Sequence, residues 1–158
     1  MNSSPSLNLW TISTWNSKSS HVTELYSPAR MDEFLDKLYQ CAVNHLRDGC
    51  YVFTCFDTQI LKRMKERHPQ AKTCLIIGGL TEEDITNALE AKCYGISPTL
   101  DGTSQELVDQ TKAAGLKINL WHSDALELWQ QARDMGAYYS TSNHPVQILQ
   151  AIHAAGHL

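Results

Sequence analysis

Residues 117–145 read KINLWHSDALELWQQARDMGAYYSTSNHP, and this stretch decides the fold class. Residues 117–121 form a short apolar run of strand length. Asp124 then opens a helix whose apolar positions Leu126, Leu128, Trp129 and Ala132 cluster on one face, and Met135-Gly136 ends it. Residues 137–139 read as a second short strand. The polar loop 140–143 follows, with Ser142 or Asn143 placed to cap a helix that Pro145 begins. Two strands joined through a helix run parallel, because a hairpin turn cannot connect parallel neighbours. The stretch therefore predicts an α/β fold with a parallel sheet, and it makes the loops after the strands the functional edge.

The same rhythm extends toward the N-terminus. Residues 7–14 alternate apolar and polar side chains as a first strand, and a serine-rich loop, 16–28, leads to the longest helix, 30–47. Residues 50–55 make an apolar strand, after which Asp57 can cap a helix over 58–67. Residues 72–77 are the next strand. Gly78-Gly79 then leads to Thr81-Glu82-Glu83-Asp84, close to a capping box, and to a helix ending near Lys92. A short strand at 93–97 precedes a helix started by Thr103 or Ser104 and stopped by Gly115, and residues 146–155 close the chain as a helix. About six strands alternating with helices is the pattern of an α/β domain.

The chain has 158 residues, 42% hydrophobic and 19% charged, which is the size and composition of one globular domain with its own core. Its net charge of -4, without a basic run, argues against nucleic acid or an anionic membrane as the main partner. No stretch approaches the roughly 20 apolar residues of a membrane span, and the N-terminal residues lack a signal-peptide pattern, so the expected compartment is the cytoplasm. Five cysteines without CxxC spacing point to reduced, mostly buried thiols rather than a zinc site or a disulfide framework.

Several short motifs then fall in a recognisable order. Residues 52–57, VFTCFD, resemble a strand ending Ser-Phe-Asp with Cys55 in the serine position, and residues 103–121, TSQELVDQTKAAGLKINLW, resemble a helix, an Ala-x-Gly turn and a strand ending in tryptophan. Residues 136–145, GAYYSTSNHP, are similar to a closing Gly-Val-Asp-x-Ile-x-Thr-Asp-x-Pro, with Thr141, Asn143 and Pro145 in comparable places. Together these resemble the C-terminal part of the glycerophosphodiester phosphodiesterase family. The resemblance implies a partial (β/α)₈ TIM-type barrel of the phospholipase C-like phosphodiesterase class, with about six parallel strands in a single domain. It also implies hydrolysis of a glycerophosphodiester to an alcohol and glycerol phosphate, in lipid metabolism, with Mg²⁺ or Ca²⁺ as the cation if the chain is active.

The departures bear on function. The family's His-Arg-Gly, its Glu-x-Asp pair and its second histidine have no counterpart here, and residues 7–12 place Trp10 and Ile12 where the similar Leu-Asn-Ile-Glu-Ile-Lys carries glutamate and lysine. The chain thus resembles strands three to eight of the barrel, without the first two strands and without the metal site. Metal-assisted cleavage needs carboxylates for the cation and a positioned acid/base for the proton. Either this is a pseudoenzyme with weak or absent turnover, or it is a non-catalytic module that binds a phosphorylated small molecule or a partner chain.

Each substitute site has a plainer reading beside it. His122, at the end of a strand with Asp124 nearby, could serve as acid/base or phosphate contact; the plainer reading is a loop histidine beside a helix cap, which explains the placement fully. His144 is a similar case, and helix capping accounts for Asp57 and Asn143. The resemblance makes Trp121 and Asn143 substrate contacts. Gly78-Gly79 could cradle a phosphate or simply form a tight turn. Cys55 could be a nucleophile or a structural thiol, and His153 with His157 has helical metal-pair spacing but no third ligand in sequence. Six strands at the tilt of an eight-strand barrel cannot close, so self-association, a partner, or the serine-rich loop is expected to cover two open edges and an exposed apolar interior.

Overall fold

The computed structural model of the chain describes residues 27–121 and 123–156, and the backbone of residues 10–13. Six strands form one sheet in chain order: β1 (Trp10–Ser13), β2 (Tyr51–Cys55), β3 (Thr73–Ile76), β4 (Gly95–Ser97), β5 (Lys117–Trp121) and β6 (Tyr139–Thr141). Every neighbouring pair is parallel. Helix α1 (Pro28–His45) precedes β2, and α2 (Thr58–Arg67), α3 (Glu82–Glu90), α4 (Gln105–Ala113) and α5 (Leu126–Asp134) each lie between successive strands, with α6 (Pro145–Ala154) last.

Period-two alternation divides the strands into two faces. Cys55, Leu75, Ile96, Ile118 and Leu120 enter one buried cluster with helix residues such as Leu61, Ala88, Val108 and Ala132. Phe53 and Met64 join Leu35, Tyr39 and Ala42 of α1 in a second cluster. The opposite face carries Val52, Thr54, Cys74, Ser97 and Asn119.

That opposite face is concave. Tyr139 of β6 donates its hydroxyl to Cys74 Sγ of β3 at 3.6 Å, although strands three steps apart in a flat sheet would stand roughly 14 Å from each other. The sheet therefore curls into a half-barrel, with burial raising the Tyr139 phenol pKa and lifting the Cys74 thiol to about 12. Val52, Thr54, Cys74, Ser97 and Asn119 on this face are each at most 3% exposed, and β1 and β6 do not pair with each other.

Local chemistry sets most boundaries. Asp57 Oδ1 caps α2 by accepting from the amides of Gln59 at 2.7 Å and Ile60 at 3.4 Å. Thr81 and Asp84 complete a reciprocal capping box on α3, and Ser104 caps α4. Gly115, at φ +84°, ends the α4 segment in a conformation that costs an L side chain energy. One strand is displaced from its expected place: the amide of Ala137 returns to Ala132 O at 3.0 Å to close α5, so β6 spans Tyr139–Thr141 rather than 137–139. Trp129, on the apolar face of α5, is half-buried, with the Arg133 guanidinium 5.2 Å from its ring centroid. Four of the five cysteines are buried or half-buried and Cys41 is exposed.

An ionic ladder joins α1 to α2. Arg63 makes two hydrogen bonds to Asp32, at 2.7 and 2.8 Å, and Arg67 makes two to Asp36 one turn further along. His68 Nε2 also meets Asp36, at 2.8 Å. The Arg67 hydrogen bond, with the His68 contact beside it, lowers the Asp36 carboxyl from the usual 3.8 to about 2. A carboxyl depressed in the folded state stabilises it above the unfolded pKa and loses that contribution as pH falls through the folded one. Between pH 3.8 and about 2 the chain should lose stability that Asp36→Asn lacks throughout. The check is acid unfolding followed by circular dichroism; superimposable acid limbs would show that the ladder contributes nothing.

Candidate functional site

The loops after β3, β4, β5 and β6 meet at the C-terminal edge of the sheet, where parallel α/β folds collect ligands. Backbone pairing continues past the strands and holds the first three together: Ile77 N donates to Ser97 O, Trp121 N to Pro98 O and Leu100 N to Trp121 O, at 3.0–3.2 Å. Thr99 donates from its amide and its hydroxyl to Gly78 O. Gly79 and Gly102 press against one another so closely that a Cβ on Gly102 would sit 2.7 Å from Gly79 Cα. Gly78-Gly79 is thus a seam between two loops, since Leu80 N also donates to Gly102 O at 2.9 Å.

Trp121 lies across this seam. Its indole Nε1 donates to Ile77 O at 3.2 Å and to Ser97 O at 3.0 Å, so the half-buried ring is fixed over the ends of β3 and β4. Beneath it, Asn119 Nδ2 donates to Ser97 Oγ at 2.6 Å and to Thr141 Oγ1 at 3.0 Å, and Thr141 Oγ1 donates to Asn119 Oδ1 at 3.2 Å. One amide thereby ties β4, β5 and β6 across the concave face. Sequence reading missed Ser97 and Asn119; the available signal was a polar residue in the middle of the apolar strand KINLW.

Asp124 departs from its expected role. The N-cap position of α5 is Ala125, without a side-chain cap, and Asp124 turns toward the next loop. Its Oδ1 accepts from Ser142 Oγ at 2.9 Å and from Asn143 N at 2.7 Å, and its Oδ2 accepts from Asn143 Nδ2 at 2.8 Å. These bonds, the Asn143 side chain first, hold the carboxyl below its usual range. Asn143 and Ser142 likewise do not cap α6 in the expected way. The N-cap position there is His144, whose amide donates to Ser142 Oγ at 2.9 Å. Asp124, Ser142 and Asn143 form a clasp between the last two loops of the edge.

The remaining candidates are dispersed. His144 and His153 are exposed, Asp57 is occupied as a cap, and Cys55 is packed in the main core at 1% exposure. His122 and His157 lie outside the described residues, as does the side chain of Trp10. A divalent cation requires several hard oxygen ligands, carboxylates foremost. Among the described residues no three His, Cys, Asp or Glu stand together, and both oxygens of Asp124 are taken by the clasp. The donors present on this edge therefore do not fit such a cation. Among the described residues no helix is long and apolar enough to cross a membrane.

Comparison with solved structures places this half-barrel in a known setting. It is similar to an Oleispira antarctica phosphodiesterase in complex with the product sn-glycerol-3-phosphate, at 17% identity and a TM-score of 0.69, covering 80% of this chain and 52% of that one. It is also similar to a glycerophosphodiester phosphodiesterase from Parabacteroides distasonis, at 16% identity and TM-score 0.66, over 94% of this chain and 58% of the other. A third, from Thermotoga maritima, shows 14% identity and TM-score 0.56, over 76% and 54%. The chain spans little more than half the length of these solved structures. Among curated proteins none matches the sequence significantly. The model of the glycerophosphoryl diester phosphodiesterase family matches residues 10–146, and on that match the chain belongs to this family.

Proposed function

We propose that the chain is a phosphodiesterase-like member of its family with weak or absent turnover of its own, a hydrolase by ancestry that forms a single domain of the last six barrel strands. The observation that carries this reading is the chemistry of the strand-end edge. The described polar groups of its floor are the neutral Ser97, Asn119, Thr141 and Trp121, and the carboxylate of Asp124 beside them is spent on holding Asn143 and Ser142. A neutral floor neither binds a catalytic cation nor offers a general acid. In this reading the protein works in the cytoplasm, and a second copy or a partner covers the free edges of β1 and β6.

A second reading, a module that binds a phosphorylated small molecule, is favoured by the clasp, which orders the closing loops without a cation. The Oleispira antarctica relative with sn-glycerol-3-phosphate bound supports the ligand class. In this reading Trp121 and Asn143 contact the ligand and His122 serves as its acid/base or phosphate contact.

The test is hydrolysis of a glycerophosphodiester panel with Mg²⁺, Ca²⁺ or Mn²⁺ against a chelator, beside His122→Ala, with sn-glycerol-3-phosphate titrated calorimetrically in chelator. The expected result is no turnover above the chelated blank. Metal-dependent turnover lost in His122→Ala would overturn the degenerate reading, and metal-free binding of sn-glycerol-3-phosphate would select the module.

A further inference from the structure

At the opposite end of the sheet a cavity of about 450 Å³ opens between the end of α1 and the starts of β2 and β3. Small-molecule sites measure roughly 300–1,000 Å³, so the volume suits a compact ligand. Tyr39, Val43, Leu46 and Tyr51 form its walls, and two opposite charges, Asp48 and Lys72, line it as well.

The walls are set before any ligand arrives. Tyr39 stacks on His68 with ring centroids 4.0 Å apart and planes at 10°, and Tyr51 stands edge-on to Phe53 at 5.6 Å. Burial, then the neighbouring Tyr39 and the charge of Asp48, raise the Tyr51 phenol pKa, so the hydroxyl stays protonated beside that carboxylate. The two charges do not neutralise each other. Asp48 makes no hydrogen bond or ion pair among the described residues, and the Lys72 ammonium lies 5.3 Å from the Tyr94 ring centroid with no carboxylate partner among them.

A tyrosine-walled cavity that carries one charge of each sign, neither in an ion pair among the described residues, is complementary to a molecule bearing both. We propose that it binds a small zwitterion with an apolar body. The ammonium lies against Asp48 and the tyrosines, which attract cations through ring faces and hydroxyls. The carboxylate or phosphate lies against Lys72. Each contact alone is partly solvated and weak; a ligand that reaches both adds the two, and the stacked Tyr39 and edge-on Tyr51 need little ordering to receive it. This site lies at the strand starts and is separate from the strand-end edge.

The test is calorimetric titration of the whole chain at low salt with two zwitterions, L-phenylalanine and phosphocholine, which separate a carboxylate source from a phosphate source. Phenethylamine and hydrocinnamate serve as single-charge controls. At least one zwitterion should bind about tenfold or more tighter than either control. Asp48→Asn should abolish that preference while leaving hydrocinnamate unchanged. Val43→Trp, at an exposed helix position, should fill the cavity and block binding. No binding of either zwitterion, no preference over the controls, or binding that survives Val43→Trp would overturn the proposal.

Discussion

Gly95→Ala should destabilise the chain by about 3 kcal/mol or more, close to the limit of what a domain of this size tolerates. Gly95 pairs with Cys74 of β3 on one side and with Lys117 of β5 on the other. A Cβ built there would stand 2.4 Å from the Lys117 carbonyl oxygen and 3.2 Å from its carbonyl carbon. Both are backbone atoms of a central strand, so no side-chain rotation relieves the contact and the β4–β5 ladder has to part. Gly49→Ala is the informative control. Gly49 sits at φ +79° with nothing within 4 Å of an added Cβ, so its cost is conformational only, about 1 kcal/mol. Urea unfolding of both variants separates the two causes. Equal shifts in midpoint would mean that the β4–β5 ladder accommodates a methyl group at Gly95 without parting.

The elements that sequence revealed well are those whose signal is local. Asp57, Thr81 with Asp84, and Ser104 cap their helices as their spacing predicts, because an N-cap needs only its own next three amides. β5 was legible over its whole length. The failures arose where a nearby, equally good partner lay in another loop. Asp124 reads as the cap of α5, yet the helix starts one residue later with Ala125 at its N-cap, and Ser142 and Asn143 offer Asp124 three donors from across the edge. Asn143 was read as a cap for the same reason and is instead the other half of that clasp. Trp129 belongs to an apolar stripe by spacing, but sequence does not show that its ring ends half-buried against the Arg133 guanidinium of its own helix. The candidate edge was legible in position, through the strand-then-helix rhythm. Its floor was not: Asn119 looks like an interruption in an apolar strand until curvature brings Ser97 and Thr141 to it.

Asn119→Asp should be nearly as costly as the strand clash at neutral pH, and its cost should fall in acid. The side chain is 3% exposed and keeps the same shape in the variant. It loses the Nδ2 donor that Ser97 Oγ and Thr141 Oγ1 now accept from, and it places a carboxylate on an otherwise neutral floor. Both hydroxyls can turn to donate, which limits the loss of hydrogen bonding. The uncompensated charge remains, and taking a carboxylate out of water without a cationic partner costs about 2–4 kcal/mol in practice. Desolvation raises the folded-state pKa of such a carboxyl above its unfolded value. Its protonated form is therefore favoured in the folded chain, and the variant recovers stability as pH falls toward the unfolded pKa. Asn119→Leu removes the donor without adding charge, so its deficit, about 1–3 kcal/mol from the orphaned Ser97 hydroxyl, should not change with pH. Thermal unfolding of both variants from pH 7 to pH 4.5 decides the matter. A pH-dependent gain confined to Asn119→Asp identifies a floor that rejects negative charge. A gain for Asn119→Asp on adding Mg²⁺ or Ca²⁺ at pH 7 would show instead that one carboxylate restores a cation site, so the same variant tests why this edge carries an amide.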